Sequence, residues 1–142
     1  MIKKILFPTD GSDNSKRAMS YAIDMALKNN AEIIVLTCYE LIMVGYDPLT
    51  LAYSAEQESS FEESNRVINN VACQEISSKG INVIPFVKKG AAGPGIVNVI
   101  ESENCDLVVI GSRGMRTVKS FLFGSVSNYV IHHTKVPVLL VH

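Results

Sequence analysis

Residues 106 to 114 read DLVVIGSRG, in which the apolar run Leu107 to Ile110 is followed directly by a glycine, and the fold follows from this stretch. A strand that helices cover on both faces has no solvent side, so its residues are apolar without alternation. Glu32 to Tyr39 has the same character, while Ile2 to Phe7 and Val136 to Val141 are further β-rich runs. The sequence therefore predicts a buried parallel sheet, with Asp106 to Ile110 as its fourth strand.

Segments with a helical spacing of apolar residues separate these strands. The predicted helices are Ser12 or Asp13 to Asn29, Glu56 to Lys79, Pro94 to Glu103 and Ser125 to His133, and the remaining strand is Ile81 to Lys88. Strands that alternate with helices run parallel and are joined by right-handed crossovers. We predict the α/β class, an open doubly wound sheet of five parallel strands with helices on both faces.

The size and charge of the chain limit its architecture and its partners. With 142 residues, 47% of them hydrophobic, we expect one domain over residues 1–142. The net charge of -1 gives no general attraction for nucleic acid or anionic lipid, and no apolar run approaches the roughly 20 residues of a membrane helix. The apolar stretch after Met1 to Lys4 is too short for a signal peptide. We expect a cytoplasmic protein with a small-molecule partner, and neither a nucleic-acid nor a membrane partner.

Leu41 to Ala55 has no clear period and contains Gly45 and the Asp47-Pro48 pair. This composition predicts a long loop. Long loops in compact domains serve as lids or partner surfaces, or are simply mobile. The sequence does not distinguish these three roles.

The three cysteines and the histidine pair give weak functional signals. Cys38, Cys73 and Cys105 form no CxxC pair, and their odd number argues against a disulfide framework. We interpret them as reduced, mostly buried small side chains, with redox sensing and metal binding as the alternatives. His132 and His133 are adjacent on a helix and point about 100° apart, so they indicate a solvated helix end and not a shared metal site.

The strongest functional signal is a spaced pair of glycine segments. Gly111-Ser112-Arg113-Gly114 is followed, nine residues later, by Gly124-Ser125-Val126-Ser127, which makes the pattern GxxG(x9)GS. Glycines let backbone N–H groups approach anionic oxygens, and the N-terminus of the following helix adds free amides and a positive dipole end. Ser125 and Ser127 can add hydroxyl donors. The pattern predicts a phosphate-binding loop, although ordinary turns would also use such glycines.

The distribution of charge supports the phosphate-binding interpretation. Leu107 to His142 contains four Arg and Lys residues and no Asp or Glu, so this segment carries +4 while the other 106 residues carry -5. The alternative is a solvated basic surface.

Ligands of open parallel sheets bind at the carboxyl ends of the strands, where the topology reverses. If the strand order is 3-2-1-4-5, that crevice lies between strands one and four. It is then bounded by Pro8-Thr9-Asp10-Gly11 and by Gly111 to Gly114. Asp10 can accept hydrogen bonds from ribose hydroxyls or base N–H groups, or it can be a helix cap.

These residues resemble those of the universal stress proteins, in particular the ATP-binding subgroup. The similarity extends over essentially the whole chain and includes the Pro8 to Ser12 segment, the glycine pattern and Lys135 to Val141; the Gly90 to Gly95 segment departs from the usual family pattern. The resemblance implies strand order 3-2-1-4-5, bound ATP with Mg²⁺ able to bridge its phosphates, and a homodimer formed through strand Val136 to Val141. The nucleotide-binding residues that it implies are Pro8, Thr9, Asp10, Cys38, Ile110, Gly111, Arg113, Gly114, Gly124, Ser125, Val126 and Ser127.

Within that site, the resemblance places adenosine near Asp10 and the backbone of Cys38, and the phosphates at the glycine pattern. No GK dipeptide, GxSxG, HExxH or CxxC motif is present, which argues against an enzyme. We expect a nucleotide-dependent sensor or signalling dimer with at most slow ATP hydrolysis. The alternatives are a dimeric interaction module that binds no nucleotide and an adenylating enzyme of the same class.

Overall fold

A computed structural model of the protein describes residues 1–40, 48–113 and 124–142, with the backbone alone for residues 48–55. The elements in chain order are β1 (Lys4–Pro8), α1 (Asp13–Asn29), β2 (Glu32–Tyr39), α2 (Pro48–Ser77), β3 (Val83–Lys89), α3 (Ala92–Ser102), β4 (Leu107–Gly111), α4 (Ser125–His133) and β5 (Val138–Val141).

The five strands form one parallel sheet in the order β3-β2-β1-β4-β5, which confirms the predicted order. The apolar strands explain this central layer, because Ile5, Leu6 and Val108 are completely buried. Chain order reverses at β1, which has β2 on one side and β4 on the other. This is the topological switch point of the sheet.

Two hydrophobic cores cover the two faces of the sheet. One core packs α1 and α2 against the sheet through Ala18, Ala22, Ala72 and Ile76. The other packs α3 and α4 against the opposite face, with Ile96, Val99, Ile100 and Val130 among its buried side chains. The fold is therefore doubly wound, as the sequence predicts.

The predicted loop Leu41 to Ala55 is corrected in part. Residues 48–55 belong to α2, which runs from Pro48 to Ser77, while residues 41–47 lie outside the described part of the chain. A proline is compatible with the first position of a helix, and no glycine or further proline interrupts the chain from Leu49 to Lys79. The continuous run of residues without helix breakers therefore outweighs the missing apolar period.

Smaller differences occur at other element ends. β5 begins at Val138 and not at Val136, and α3 begins at Ala92, so Pro94 lies in the first helical turn where an N–H has no helical acceptor. α4 has the predicted bounds, and Ser12 is the N-cap of α1. Among the described residues, no helix is both long and apolar enough to cross a bilayer.

Candidate functional site

The ladder between β1 and β4 ends before the carboxyl ends of the two strands. The residue pairs between these strands are Ile5 with Leu107 and Leu6 with Val108, yet β1 continues to Pro8 and β4 continues to Gly111. The pairs end there because Pro8, the next residue of β1 that faces β4, has no N–H to donate. The crevice at the switch point begins beyond this last pair. This is where an open parallel sheet binds its ligands.

The alternation of the backbone directs two sets of polar groups towards this opening. Thr9 N donates to Leu36 O at 2.9 Å, so even-numbered residues of β2 face β1, and the last β1 residue in register is Pro8, opposite Leu36. The N–H and C=O of Cys38 therefore point towards the β1 side of the strand, at a level beyond the last residue of β1. Ser112 N donates to Val141 O at 2.7 Å, so the neighbouring Gly111 faces β1 in the same way.

The turn after β1 is held by its own side chains. The hydroxyls of Thr9 and Ser15 lie 2.8 Å apart, and Gly11 N donates to Thr9 Oγ1 at 3.2 Å. Asp10 Oδ1 accepts from Ser12 N at 2.9 Å, and Ser12 Oγ in turn accepts from Ser15 N. The cap of α1 is therefore Ser12, and the alternative interpretation of Asp10 as that cap is wrong.

Gly11 lets this turn pass beneath α2. Its φ is +77°, a conformation that favours glycine, and a Cβ built there would lie 3.2 Å from Ile68 Cγ2. α2 is therefore packed directly on the turn that carries Asp10.

A contact between α1 and β4 joins the two walls of the crevice. Asn14 Nδ2 donates to Ser112 Oγ at 3.3 Å and to Arg113 O at 3.1 Å. A Cβ on Gly111 would lie 3.2 Å from the backbone C and O atoms of Asn14, so only glycine allows this approach without a shift. The first turn of α1 therefore fixes the start of the glycine segment.

The second glycine segment forms the N-terminus of α4. Gly124 is the N-cap without a side-chain capping bond, and Asn128 N makes the first helical bond to Gly124 O. The N–H groups of Ser125, Val126 and Ser127 consequently have no acceptor within the helix. Together they form a positive helix end in the same loop region as Gly111.

Two polar groups of this segment are used within the protein. Gly124 N donates to Ser112 O at 2.6 Å, and the buried Ser127 hydroxyl lies 3.1 Å from Ser112 O and 3.0 Å from Gly124 O. Ser125 is exposed. Of the two serine hydroxyls predicted as donors, that of Ser127 therefore contacts backbone carbonyl oxygens.

The predicted residues divide into three groups in the structure. The crevice brings together the ends of β1, β2 and β4 with the N-terminus of α4, which accounts for Pro8, Thr9, Asp10, Cys38, Gly111, Gly124, Ser125, Val126 and Ser127. Ile110 is buried behind the edge, and Arg113 is exposed at it. Gly114 lies outside the described residues.

Burial controls the ionisation of Cys38. Its desolvation raises the pKa of the thiol from 9.0 to about 11, although nearby Lys88 lowers the pKa and Glu40 raises it. A Cβ on Gly95 of α3 would lie only 2.9 Å from Cys38 Sγ. The side chain of Cys38 thus packs under α3 as a neutral thiol, and only its backbone faces the crevice.

Sequence reasoning did not identify Asn14, Ser15 and Ser112 as part of this site. Their one signal was position, since Asn14 and Ser15 lie in the first turn of a helix and Ser112 lies between two of the glycines. None of the described residues forms a group of three His, Cys, Asp or Glu side chains that could hold a metal ion.

The fold and this edge define a doubly wound α/β protein with an open switch point. The chain belongs to the universal stress protein family, whose sequence profile matches residues 1–142. A universal stress protein from Thermus aquaticus is 31% identical, over 99% of this chain and 99% of its own.

Solved structures agree with the family assignment. The structure of MJ0577, a universal stress protein of Methanocaldococcus jannaschii, superposes with a TM-score of 0.89 at 27% identity, covering 99% of this chain and 96% of that one. A universal stress protein in complex with cAMP superposes with a TM-score of 0.71, also at 27% identity, covering 99% of this chain and 97% of that one.

Proposed function

We propose that this protein binds ATP in the crevice between β1 and β4. The observation that carries the proposal is the end of the β1–β4 ladder after Leu6 and Val108, with the backbone groups of Cys38 and Gly111 directed to the edge beyond it. Backbone amides at a glycine and at a helix N-terminus suit phosphate oxygens, because they offer donors without a competing side chain.

Each part of the nucleotide has a partner in this arrangement. The backbone of Cys38 meets the adenine, Asp10 accepts from the ribose hydroxyls, and the phosphates meet the glycine loop, which includes Gly114, and the amides of Ser125 to Ser127. Pro8 faces β4 with a carbonyl oxygen and no N–H, Thr9 fixes the turn, and Ile110 backs the site. The exposed Arg113 supplies positive charge, and a bound Mg²⁺ would supply further positive charge to the phosphates.

One observation supports an adenine nucleotide and a second supports its phosphates. The structural relative at 27% identity was solved with cAMP, which contains adenine, ribose and a phosphate. The segment from Leu107 to His142 carries four basic residues and no acidic one, and of the four only Lys135, before the start of β5, belongs to the opposite edge of the sheet among the described residues. A phosphate chain would therefore meet no carboxylate from Leu107 to His142.

We further propose that binding, and not turnover, is the function, so that the protein acts as a nucleotide-dependent sensor or signalling dimer in the stress response. Phosphoryl transfer needs an acidic residue that holds the metal near the phosphates. The loop and everything after it contain no Asp or Glu.

The dimer would form through β5. Its residues Val138 to Val141 are all apolar and lie at one edge of the sheet, where unpaired backbone groups invite another strand. The opposite edge strand, β3, carries Pro85 and two lysines, and such residues discourage pairing.

Mass spectrometry of protein purified without added nucleotide tests the proposal, followed by titration with ATP. We expect ATP or another adenine nucleotide to be released on denaturation. Absence of binding even at millimolar ATP would instead favour the interaction module, and rapid substrate-dependent release of pyrophosphate would favour the adenylating enzyme.

Gly114→Asp provides the matching loss of function. The carboxylate would repel the phosphate oxygens, so ATP binding is expected to be lost while the circular dichroism spectrum stays unchanged. Asp24→Asn, an exposed change on α1, is the control and should bind ATP like the unmodified protein. Unchanged affinity of the Gly114 variant would reject the loop as the phosphate site.

A further inference from the structure

A polar side chain is completely enclosed between α2 and the sheet. Asn69 is 1% exposed, on a helix face whose next buried residues are Ala72 and Ile76. Burying an amide costs free energy unless each of its donors finds an acceptor. An apolar residue would fill this position without that cost, so the contacts of Asn69 require an explanation of their own.

Asn69 binds the last part of the β2–β3 ladder. The two N–H groups of its Nδ2 are shared among three acceptors, Val35 O at 3.0 Å, Phe86 O at 3.0 Å and Thr37 Oγ1 at 3.1 Å. Ile33 N donates to Asn82 O and Gly90 N to Tyr39 O, so odd-numbered residues of β2 face β3. The register then pairs Val35 O with Phe86 N and Phe86 O with Thr37 N, and Asn69 uses the second lone pair of each carbonyl.

These two ladder bonds lie directly before Cys38. Thr37, which is 0% exposed, and Tyr39 both face β3, so the residue between them faces the crevice. On the other face of the sheet, Gly95 of α3 closely contacts Cys38 Sγ, where an added Cβ would lie at 2.9 Å. The end of β2 is thus held from both faces, by Asn69 from α2 and by Gly95 from α3.

A backbone N–H and C=O that are fixed in position can distinguish between purines. Adenine presents an acceptor, N1, beside a donor, the N6 amino group, and a backbone N–H and C=O complement that pattern. Guanine presents a donor and an acceptor in the reverse arrangement, so the same backbone pair would leave two polar groups unpaired. The discrimination requires that the pair cannot move to accommodate guanine.

We propose that Asn69 is a positioning residue that fixes the end of β2, so that the backbone of Cys38 selects adenine over guanine. This inference rests on the proposed nucleotide function. Asn69 acts on the base only through β2, and no part of its side chain faces the crevice.

The test compares the dissociation constants of ATP and GTP for the unmodified protein and for Asn69→Leu. The unmodified protein should prefer ATP by about tenfold or more, the effect of mismatched hydrogen bonds at a base. In Asn69→Leu the preference should fall to within about threefold, chiefly through weaker ATP binding. A general loss of stability would weaken both nucleotides alike and leave the ratio unchanged.

Ile76→Val is the control, because Ile76 is equally buried on α2 but lies about 10 Å further along the helix. It should keep the ATP to GTP preference. Thr37→Val serves if Asn69→Leu does not fold, because it removes one acceptor of Asn69 while keeping the shape of the side chain. It should lower the preference in the same direction by a smaller factor.

The outcomes separate the two proposals. If the unmodified protein binds no ATP, the proposed function and this inference both fail. If it binds ATP and GTP equally, or if the Asn69 and Thr37 variants keep the full preference, the role of Asn69 is overturned while nucleotide binding stands.

Discussion

Asp10 and Ser12 follow β1 within four residues, yet their side chains have different partners. Ser12 Oγ caps α1 by accepting from Ser15 N, whereas Asp10 Oδ1 accepts from Ser12 N at the rim of the crevice. A residue that caps a helix contributes mainly to stability. A carboxylate at the switch point can also bind the ribose.

The two roles predict opposite effects of alanine. Ser12→Ala should lower the free energy of unfolding by about 1 kcal/mol and leave ATP affinity nearly unchanged. Asp10→Ala should weaken ATP binding at least about tenfold, since a hydrogen bond to a charged group contributes about 1.5–3 kcal/mol. Urea denaturation and calorimetric titration measure the two quantities. If Asp10→Ala lost stability but kept its affinity, its role would be structural.

The thiol of Cys38 yields a prediction about pH. Burial raises its pKa to about 11 from the ordinary 9.0, so at pH 8 its thiolate fraction is roughly a hundredfold below that of a free cysteine. We expect its alkylation by iodoacetamide to accelerate with rising pH through pH 10 and to level off only near pH 11. Peptide mass spectrometry measures the rate, and the urea-unfolded chain should level off near pH 9. A folded-state plateau near pH 9 would contradict the burial argument.

At the scale of elements, the side chain of Asn14 joins α1 to the start of the glycine segment. The two hydrogen bonds of Asn14 connect the first turn of α1 to Ser112 and Arg113, next to the tight contact at Gly111. Such bonds each contribute about 0.5–1.5 kcal/mol. They hold the loop in place before a ligand arrives, which reduces the entropy that binding would cost.

Asn14→Ala should therefore lower stability by about 1–2 kcal/mol and speed hydrogen exchange at Ser112 and Arg113. The control is Lys16→Ala, an exposed change near the same end of α1, which should stay within about 0.5 kcal/mol of the unmodified protein. Urea titration and hydrogen-exchange mass spectrometry give both readouts. Equal stability of the two variants would show that the Asn14 contacts contribute little.

A second set of hydrogen bonds between elements fixes the amino end of β1. Asp106 Oδ2 accepts from Lys3 N at 2.8 Å and from Lys4 N at 2.9 Å, and these backbone donors hold the pKa of its carboxyl below the usual 3.8. β1 is thus bonded to the β4 segment at its amino end, whereas Pro8, which has no N–H, ends the ladder to β4 at the carboxyl end.

At the scale of the whole molecule, the two edges of the sheet differ. Pro85 faces outward from β3, because the even-numbered residues of that strand bond to β2. On β5, Val108 N donates to Pro137 O and Ser112 N to Val141 O, so Val138 and Leu140 present their backbone groups outward. The apolar β5 edge is therefore open to a second strand, whereas a proline interrupts the β3 edge.

Leu140→Pro should dissociate the proposed dimer, because it removes an outward N–H while leaving the bonds between β4 and β5 in place. Sedimentation velocity at micromolar concentrations should show a shift from dimer to monomer. Val83→Pro makes the equivalent change on the outer side of β3 and should leave the dimer intact. If only Val83→Pro dissociated the dimer, the interface would lie at β3, and the proposed dimer through β5 would be wrong.

The sequence predicted the class of fold and most element bounds, because burial on both faces and helical periodicity are local properties of the chain, whereas the sheet order was implied by the resemblance to the universal stress proteins. It missed the first part of α2, where Gly45 and the Asp47-Pro48 pair indicated a loop although no breaker follows until Gly80. It identified the residues of the strand ends at the crevice. It did not identify the asparagines that hold those ends in position.

By itself, therefore, the sequence determined a doubly wound parallel sheet and the glycine pattern beside its fourth strand. Only the tertiary structure decided that Asn14 reaches Ser112, 98 residues away, and that Asn69 reaches Val35, 34 residues away. Periodicity and turn chemistry depend on residues that are close together in the chain, so they can be recognised in the sequence alone. A hydrogen bond between distant residues depends instead on how the helices lie on the sheet. That geometry is determined by the packing of all residues in both cores together.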